Sequence, residues 1–420
     1  MATDLRIGHR NENGQSFTLR VLTMNCWGLR VFSKFRQERM EAIAQEINKY
    51  HIVALQEVWS KDDFEAMRKI ATELSYSHMF YSGVIGSGLC VFSQYPIVGT
   101  YFHQFMSSGG IFDMHKGDLF AGKGVGMCRL RLTNSGCHLS IYTSQTYSCF
   151  RDSQLFEIMQ FIHYTRGTDL VIMCGDLNTY PKMIGLKLFT KCLQLQDSFF
   201  HGECTPSSCQ QCQNCHTCDK RGNTFVKRTA NPKRIDYLFY SPKASSGFAI
   251  VEKEYSHVME EPIPSKGYNY SNHVGVEVKL KVRRDESAAQ EILEGLSFID
   301  NDENRSVLVE IQDNIHRKRI DLKKKNPLLS NEGIRWWFIV HLFKAMLCLA
   351  LMSLVPPPIT IIANVLWGIL VCYWLRNFAG YVVQLSHLAA VESNFQDLNN
   401  YLGRNGPLMP SPVNPGVMYP

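Results

Sequence analysis

The sequence predicts an α+β body in which two β-sheets pack face to face between outer helices, followed by a hairpin of two apolar helices. Three observations predict it. Short apolar or alternating runs outnumber helical-period runs across residues 17–282, the pattern expected of sheet-on-sheet packing with outer helices. Several of these runs stop abruptly at polar residues, as strands do when they deliver side chains to a sheet edge. Two long apolar segments, 336–355 and 359–375, then lie beyond that block, separated by Pro356-Pro357-Pro358.

Taken in order, Phe17–Asn25 alternates as a half-buried strand and ends in the turn Asn25-Cys26-Trp27-Gly28. Residues 35–50 carry Met40, Ile43, Ala44 and Ile47 on one helical face. Ile52–Gln56 reads as a strand delivering Glu57, and a helix follows near Lys61–Leu74. Further strands are expected at Gly88–Ser93, Met127–Leu132 and His138–Thr143, and a helix near Ser153–Tyr164. The apolar run Leu170–Cys174 then breaks into Gly175-Asp176-Leu177-Asn178. Asp176 and Asn178 are two apart, so an extended backbone points both to one side. A carboxylate beside an amide can orient a water or hold a phosphate; an ordinary strand-to-turn junction is the plainer reading. The strand Ile235–Tyr240 brings Asp236, and Ser271-Asn272-His273 precedes the closing strand Val274–Val282.

With 420 residues, 45% of them hydrophobic and 11% aromatic, the chain is long enough for one large domain plus appendages. A net charge of +6 is mild for that length and gives no expectation of nucleic acid. The N-terminal residues lack the basic, apolar and small-residue order of a cleaved signal, so secretion by that route is not expected. Of the 14 cysteines, Cys204, Cys209, Cys212, Cys215 and Cys218 cluster with His216 in a polar insertion, 203–223. That spacing resembles metal-ligand spacing without the two separated pairs of a zinc ribbon, and free thiols in a loop are the alternative.

Residues 1–16 read as a tail and 283–334 as a charged, partly helical linker ending in the basic run Arg317–Lys325. Segment 336–355 is long enough to span a bilayer and 359–375 is near the lower limit. Trp336-Trp337 and Tyr373-Trp374 sit where interfacial aromatics belong. A buried soluble hairpin is the alternative. With basic flanks outside the pair and no charge between the spans, both ends are expected in the cytosol. A multi-pass protein of the endoplasmic reticulum or plasma membrane follows, with 376–420 a cytosolic helix and proline-rich tail.

Asn25, Gln56-Glu57, Gly175-Asp176-Leu177-Asn178 and Ser271-Asn272-His273, in that order, resemble the endonuclease/exonuclease/phosphatase superfamily. Within it, Met24–Gly28, Leu55–Trp59, Gly83–Ser93 and Gly117–Gly124, with the paired apolar segments, are similar to neutral sphingomyelinases of the membrane-hairpin type. The resemblance implies a DNase I-like four-layer α/β sandwich over 17–282. It implies Mg²⁺, with Mn²⁺ as the alternative ion, held by Glu57 and Asn25. It implies catalytic roles for His273, Asp176, Asn178 and Asn25, and a supporting role for Asp236 in the segment Arg234–Tyr237 and for Asn272. Asp118 and Lys123 match a pair implied to switch a loop near the site.

The residue types suit this. Glu57 offers the hard anionic oxygen Mg²⁺ prefers, and the two asparagines can hydrogen-bond phosphate or metal-bound water without adding charge. His273 is the candidate for activating water, with Asp176 expected to orient its ring. Two departures stand out. Asn272 replaces an acidic residue, and Tyr142-Thr143-Ser144-Gln145-Thr146 has no histidine where the family pattern has one. Ser144 is the residue read at that place; His138 and His163 are near in sequence but do not match. Gly117–Lys123 also fits G-x-x-x-x-G-K, but Gly124 follows in place of Ser or Thr and no helix pattern succeeds it, so nucleotide binding is rejected.

The expected activity is Mg²⁺-dependent hydrolysis of sphingomyelin to ceramide and phosphocholine at a cytosolic membrane face, with anionic lipids as partners of the basic run. A catalytically impaired lipid-binding or scaffold protein is the alternative that Ser144 and Asn272 raise. A nuclease of the same fold is a third, disfavoured by the apolar hairpin.

Overall fold

The structure is a computed structural model that describes residues 16–30, 33–107, 121–132, 136–146, 150–200, 215–285, 287, 302–325, 336, 339–344, 346–347, 350 and 357–402. Thirteen strands run in chain order as β1 (Ser16–Asn25), β2 (Ile52–Gln56), β3 (Tyr76–Met79), β4 (Cys90–Ser93), β5 (Ile97–Gln104), β6 (Gly124–Arg131), β7 (His138–Gln145), β8 (Leu170–Asp176), β9 (Gln196–Asp197), β10 (Asp236–Tyr240), β11 (Lys243–Ala244), β12 (Phe248–Val258) and β13 (Gly275–Arg284). The helices are α1 (Arg36–Glu46), α2 (Lys61–Ile70), α3 (Arg151–Thr165), α4 (Asp302–Lys325) and α5 (Pro357–Tyr401).

The strands form one seven-stranded sheet, β11-β12-β13-β1-β2-β4-β3, and one six-stranded sheet, β5-β6-β7-β8-β10-β9. Side-chain alternation assigns each strand two faces. On β1, Leu19 and Val21 point inward to meet Ile141, Ile172 and Leu238 of the other sheet. Leu22 and Met24 point outward and pack under Met40, Ile43 and Met67 of α1 and α2. On the far side, Tyr142, Met173 and Phe239 pack under Leu155, Phe156 and Met159 of α3. Helix, sheet, sheet and helix make the four layers that the sequence leads one to expect. Helix α2 is also polarised to suit its dipole, with Asp62 and Asp63 in its first turn and Arg68 and Lys69 in its last.

Two β-α-β units set up the site. Strands β1 and β2 are parallel across α1, with Asn25 opposite Gln56. Strands β7 and β8 are parallel across α3, with Gln145 opposite Asp176. The C-terminal ends of both pairs open at the same end of the sandwich, the place where parallel strands present polar side chains to a ligand. Antiparallel β13 and β10 begin at that same end, beside Thr23 and Asp176.

Several boundaries differ from the sequence reading. Helix α2 stops at Ile70, short of Leu74, because Thr72 and Leu74 turn back on Ile70 and Ala71. Strands β3, β5 and β12 have no counterpart in it. They are edge or near-edge strands with exposed charged and polar positions, so their alternation is blurred. In agreement with that reading, no helix follows Lys123, which leads into β6.

The C-terminal region departs further. Helix α4 lies inside the expected linker, yet Val307, Leu308, Ile311 and Ile315 are buried in the α3 core. Part of the basic run is also engaged within the chain, since Arg319 Nε and Lys323 Nζ reach Glu392 Oε1 at 2.6 and 3.0 Å. Helix α5 is continuous over 45 residues, so the second apolar segment and the expected cytosolic helix are one rod. Its distal half docks on the body: buried Asn394 donates to Glu157 Oε1 at 3.0 Å and to Ser153 Oγ. Half of the segment 336–355 lies outside the described residues. Among the described residues, no helix is long and apolar enough to cross a membrane.

Candidate active site

Asn25 ends β1 and its side-chain amide reaches across the sandwich. Nδ2 donates to Glu57 Oε1 and to Asp176 Oδ2, both at 3.0 Å, so one residue ties the two sheets together at the site. Its own Oδ1 accepts from Trp27 N at 2.9 Å, which locks the amide's orientation. Glu57 follows β2 with φ 60 and Trp27 follows Asn25 with φ 49, left-handed conformations uncommon outside glycine. Gly28 makes this turn feasible, because a Cβ there would stand 2.1 Å from the Glu57 carbonyl oxygen.

Behind these loops sits Arg39, fully buried on α1. Its guanidinium donates to the carbonyls of Cys26, Trp27 and Tyr270 at 2.7–2.8 Å. It thereby fixes the loop after Asn25 against the loop before His273. Burial lowers its pKa to about 10, well above neutral pH, so the charge persists. Ser271 completes the link by donating to the Asn25 carbonyl at 2.7 Å.

Asp176 closes β8. Gly175 beside it has φ 137, and a Cβ there would meet the Ser144 carbonyl oxygen at 2.1 Å, so the residue must be glycine for β7 and β8 to pair. Asp176 Oδ1 accepts from Asn178 N at 3.0 Å, and Asn178 Nδ2 donates to the Thr146 carbonyl at 3.0 Å. Asn178 is itself left-handed, with φ 44. Burial and the neighbouring Asp236 charge push the Asp176 carboxyl up to about 6.

The partner of the His273 ring is Asp236, not Asp176. Nδ1 lies 2.9 and 3.1 Å from the two Asp236 carboxylate oxygens, and both residues are buried. Thr217 Oγ1 donates to Asp236 Oδ2 at 2.6 Å. Burial opposes a charge on His273. The Asp236 carboxylate and the hydrogen-bonded Cys218 thiol outweigh it and hold the imidazole well above its ordinary value. Asp176, Asp236 and His273 each offer an atom within 4.8 Å of the others, a grouping that can hold a metal. That mixed imidazole–carboxylate set suits a transition metal, whereas the Glu57 carboxylate offers the hard anionic oxygen that suits Mg²⁺.

Asn25, Glu57, Asp176, Asn178, Asp236 and His273 are thus brought together. Asn272 is adjacent and half-buried, its Oδ1 3.4 Å from Ser271 Oγ. Lys123 is half-buried at the start of β6, and Asp118 lies outside the described residues.

Sequence reasoning missed four participants. Gln145 is the first. Ser144 points away from the site and donates to the Gly124 carbonyl at 2.8 Å. Gln145, the next residue, turns inward and donates to Glu57 Oε1 at 2.8 Å. The residue of this stretch that faces the site is therefore Gln145, not Ser144. Strand alternation distinguishes the two once the inward face of β7 is known. His138 is no substitute, since it begins β7 at the opposite end, roughly 23 Å away for seven residues of strand. Thr217 and Cys218 are the second and third. They belong to the described end of the cysteine-rich insertion, which packs into the site instead of hanging free. Cys215 and Cys218 are buried, while Cys204, Cys209 and Cys212 lie outside the described residues. Arg39 is the fourth, hidden within a helix of ordinary polar pattern.

One family model, "Endonuclease/Exonuclease/phosphatase family", matches residues 22–256. The chain belongs to this family. Among curated members of similar sequence, it is 35% identical over 291 residues to "Putative neutral sphingomyelinase" of Drosophila melanogaster, covering 65% of this chain and 63% of that one. It is 37% identical over 254 residues to "Sphingomyelin phosphodiesterase 2" of Mus musculus, covering 56% and 58%. It is 31% identical over 318 residues to "Inositol phosphosphingolipids phospholipase C" of Schizosaccharomyces pombe, covering 67% and 73%. The chain thus spans somewhat under two thirds of the first two relatives.

Proposed function

We propose that this endonuclease/exonuclease/phosphatase family member is a phosphodiesterase that hydrolyses a phosphosphingolipid, with sphingomyelin as substrate and ceramide and phosphocholine as products. The observation that carries the reading is the buried Asp236–His273 pair facing Asp176, with Glu57 held beside it by Asn25. His273 Nδ1 is committed to Asp236, so Nε2 is the nitrogen that exchanges a proton with water. Asp236 stabilises the imidazolium that results, and Thr217 keeps Asp236 from rotating away. Asn178 keeps one amide hydrogen for a phosphate oxygen, while Asn25 spends both of its own holding Glu57 and Asp176 in place.

The hard carboxylate oxygen of Glu57 fits Mg²⁺, and a divalent cation bound there would neutralise charge on the phosphodiester oxygens. Exposed Trp336, Leu342, Phe343, Ile369 and Tyr373 support membrane insertion of segments 336–355 and 359–375, and the basic flanks outside the pair favour a cytosolic body. Carbonate-resistant pelleting of the full chain with membranes tests that part.

The activity test is release of phosphocholine from sphingomyelin in mixed micelles with Mg²⁺. Wild type should release it, and Glu57→Gln or chelator should abolish the release. Gln145 and Asn272 favour a second reading, an impaired relative that binds lipid. That reading is upheld if wild type and Glu57→Gln are equally inactive while both still bind sphingomyelin vesicles.

A further inference from the structure

Gln145 is 4% exposed, and its amide is used on one side only. Nε2 donates to Glu57 Oε1 at 2.8 Å and approaches Asp176 Oδ2 at 3.5 Å. Asn25 Nδ2 donates to those same two oxygens. Two amides and two carboxylates thus form a closed ring. The ring fixes which end of the Gln145 amide is nitrogen, because the reverse assignment would aim a carbonyl oxygen at two anionic oxygens. Among the described residues, no donor reaches the buried Gln145 Oε1. An orphaned buried acceptor of this kind is costly unless something at the site completes it.

The chemistry of that something is constrained. A phosphate oxygen is an acceptor and cannot satisfy another acceptor. A cation, or a water polarised by one, can. The oxygen and nitrogen of one amide are about 2.3 Å apart, so Oε1 lies within about 5 Å of Glu57 Oε1. That is within reach of an ion on the Glu57 carboxylate or of a water in its shell. Glu57 Oε1 is already occupied by two amide donors, which leaves Oε2 as the oxygen that faces the ion.

We propose that Gln145 Oε1 is an oxygen ligand, direct or through one coordinated water, of the divalent cation held by Glu57. Gln145 is thus a positioning residue for the metal. The inference rests on the reading of Glu57 as a metal ligand. Gln145 thereby adds a neutral hard oxygen beside the Glu57 carboxylate.

The test is Mn²⁺ binding to the full chain, followed by the loss of the free-ion paramagnetic resonance signal in wild type, Gln145→Leu and Glu57→Gln. Wild type should bind with Gln145→Leu weakened by ~10–100-fold, the range for losing a supporting metal contact. Its urea midpoint in chelator should be unchanged or raised, since the orphaned oxygen is gone. If Gln145→Leu does not fold, Gln145→Met replaces it in the same titration. Binding by the Gln145 variant within twofold of wild type, with Glu57→Gln binding lost, overturns the inference and leaves the metal reading standing. Absence of Mn²⁺ binding in wild type overturns both.

Discussion

His273 and Asp236 stand 37 positions apart and meet at 2.9 Å, Nδ1 to Oδ2, in a pocket where both are buried. Asp236→Asn keeps the shape but removes the charge that stabilises the imidazolium. Turnover of sphingomyelin in mixed micelles should fall ~10²–10⁴-fold with little change in KM. Undiminished kcat would remove Asp236 from the proton-transfer pair.

Gly175 is predicted to tolerate no side chain. Gly175→Ala combines a φ of 137 with a Cβ 2.1 Å from the Ser144 carbonyl oxygen, so β7 and β8 must part. Urea unfolding should show a loss of about 3 kcal/mol or more. Gly136→Ala is the control: it also has positive φ (87), but nothing lies within 4 Å, and the loss should be about 1 kcal/mol. Equal losses would contradict the steric account.

Stability should decline in mild acid through His257. Burial, with help from Lys220, lowers its pKa to about 4 from the ordinary 6.5. The folded state thus refuses a proton that the unfolded chain accepts between those values. The contribution is complete above pH 6.5 and is lost as pH falls towards 4, by at most about 3 kcal/mol. His257→Gln should flatten the urea midpoint against pH over that window. A parallel decline in the variant would assign the effect elsewhere.

Docking of α5 should depend on Asn394. Its amide donates to Ser153 Oγ and Glu157 Oε1, and Glu157 Oε2 in turn accepts from Met106 N at 3.1 Å and contacts His103 Nε2 at 2.8 Å. Asn394→Ala leaves buried acceptors short of a donor, at a cost of about 1–3 kcal/mol. Amide exchange should accelerate in residues 386–401 and the first turn of α3, and little in β1 or β13. Uniform acceleration across the molecule would argue against local undocking.

The sequence alone determined that Asn25, Glu57, Asp176 and His273 sit at strand ends, because strand termini are written in local patterns of apolar runs broken by turn-forming residues. It also determined the two-sheet architecture and the family. Which of these groups touch was decided by tertiary structure. Alternation assigns a face but not a neighbour, so the sequence reading gives the His273 ring to Asp176, and only the antiparallel pairing of β10 with β8 puts Asp236 there instead. Gln145 became visible only when the inward face of β7 was known, and Thr217 and Cys218 only when the end of the cysteine-rich insertion packed against His273. Helix α4 resembles a solvated linker for the same reason: its charged majority dominates local composition, while the four apolar residues that bury it find their partners on α3 and α5, far away in the chain.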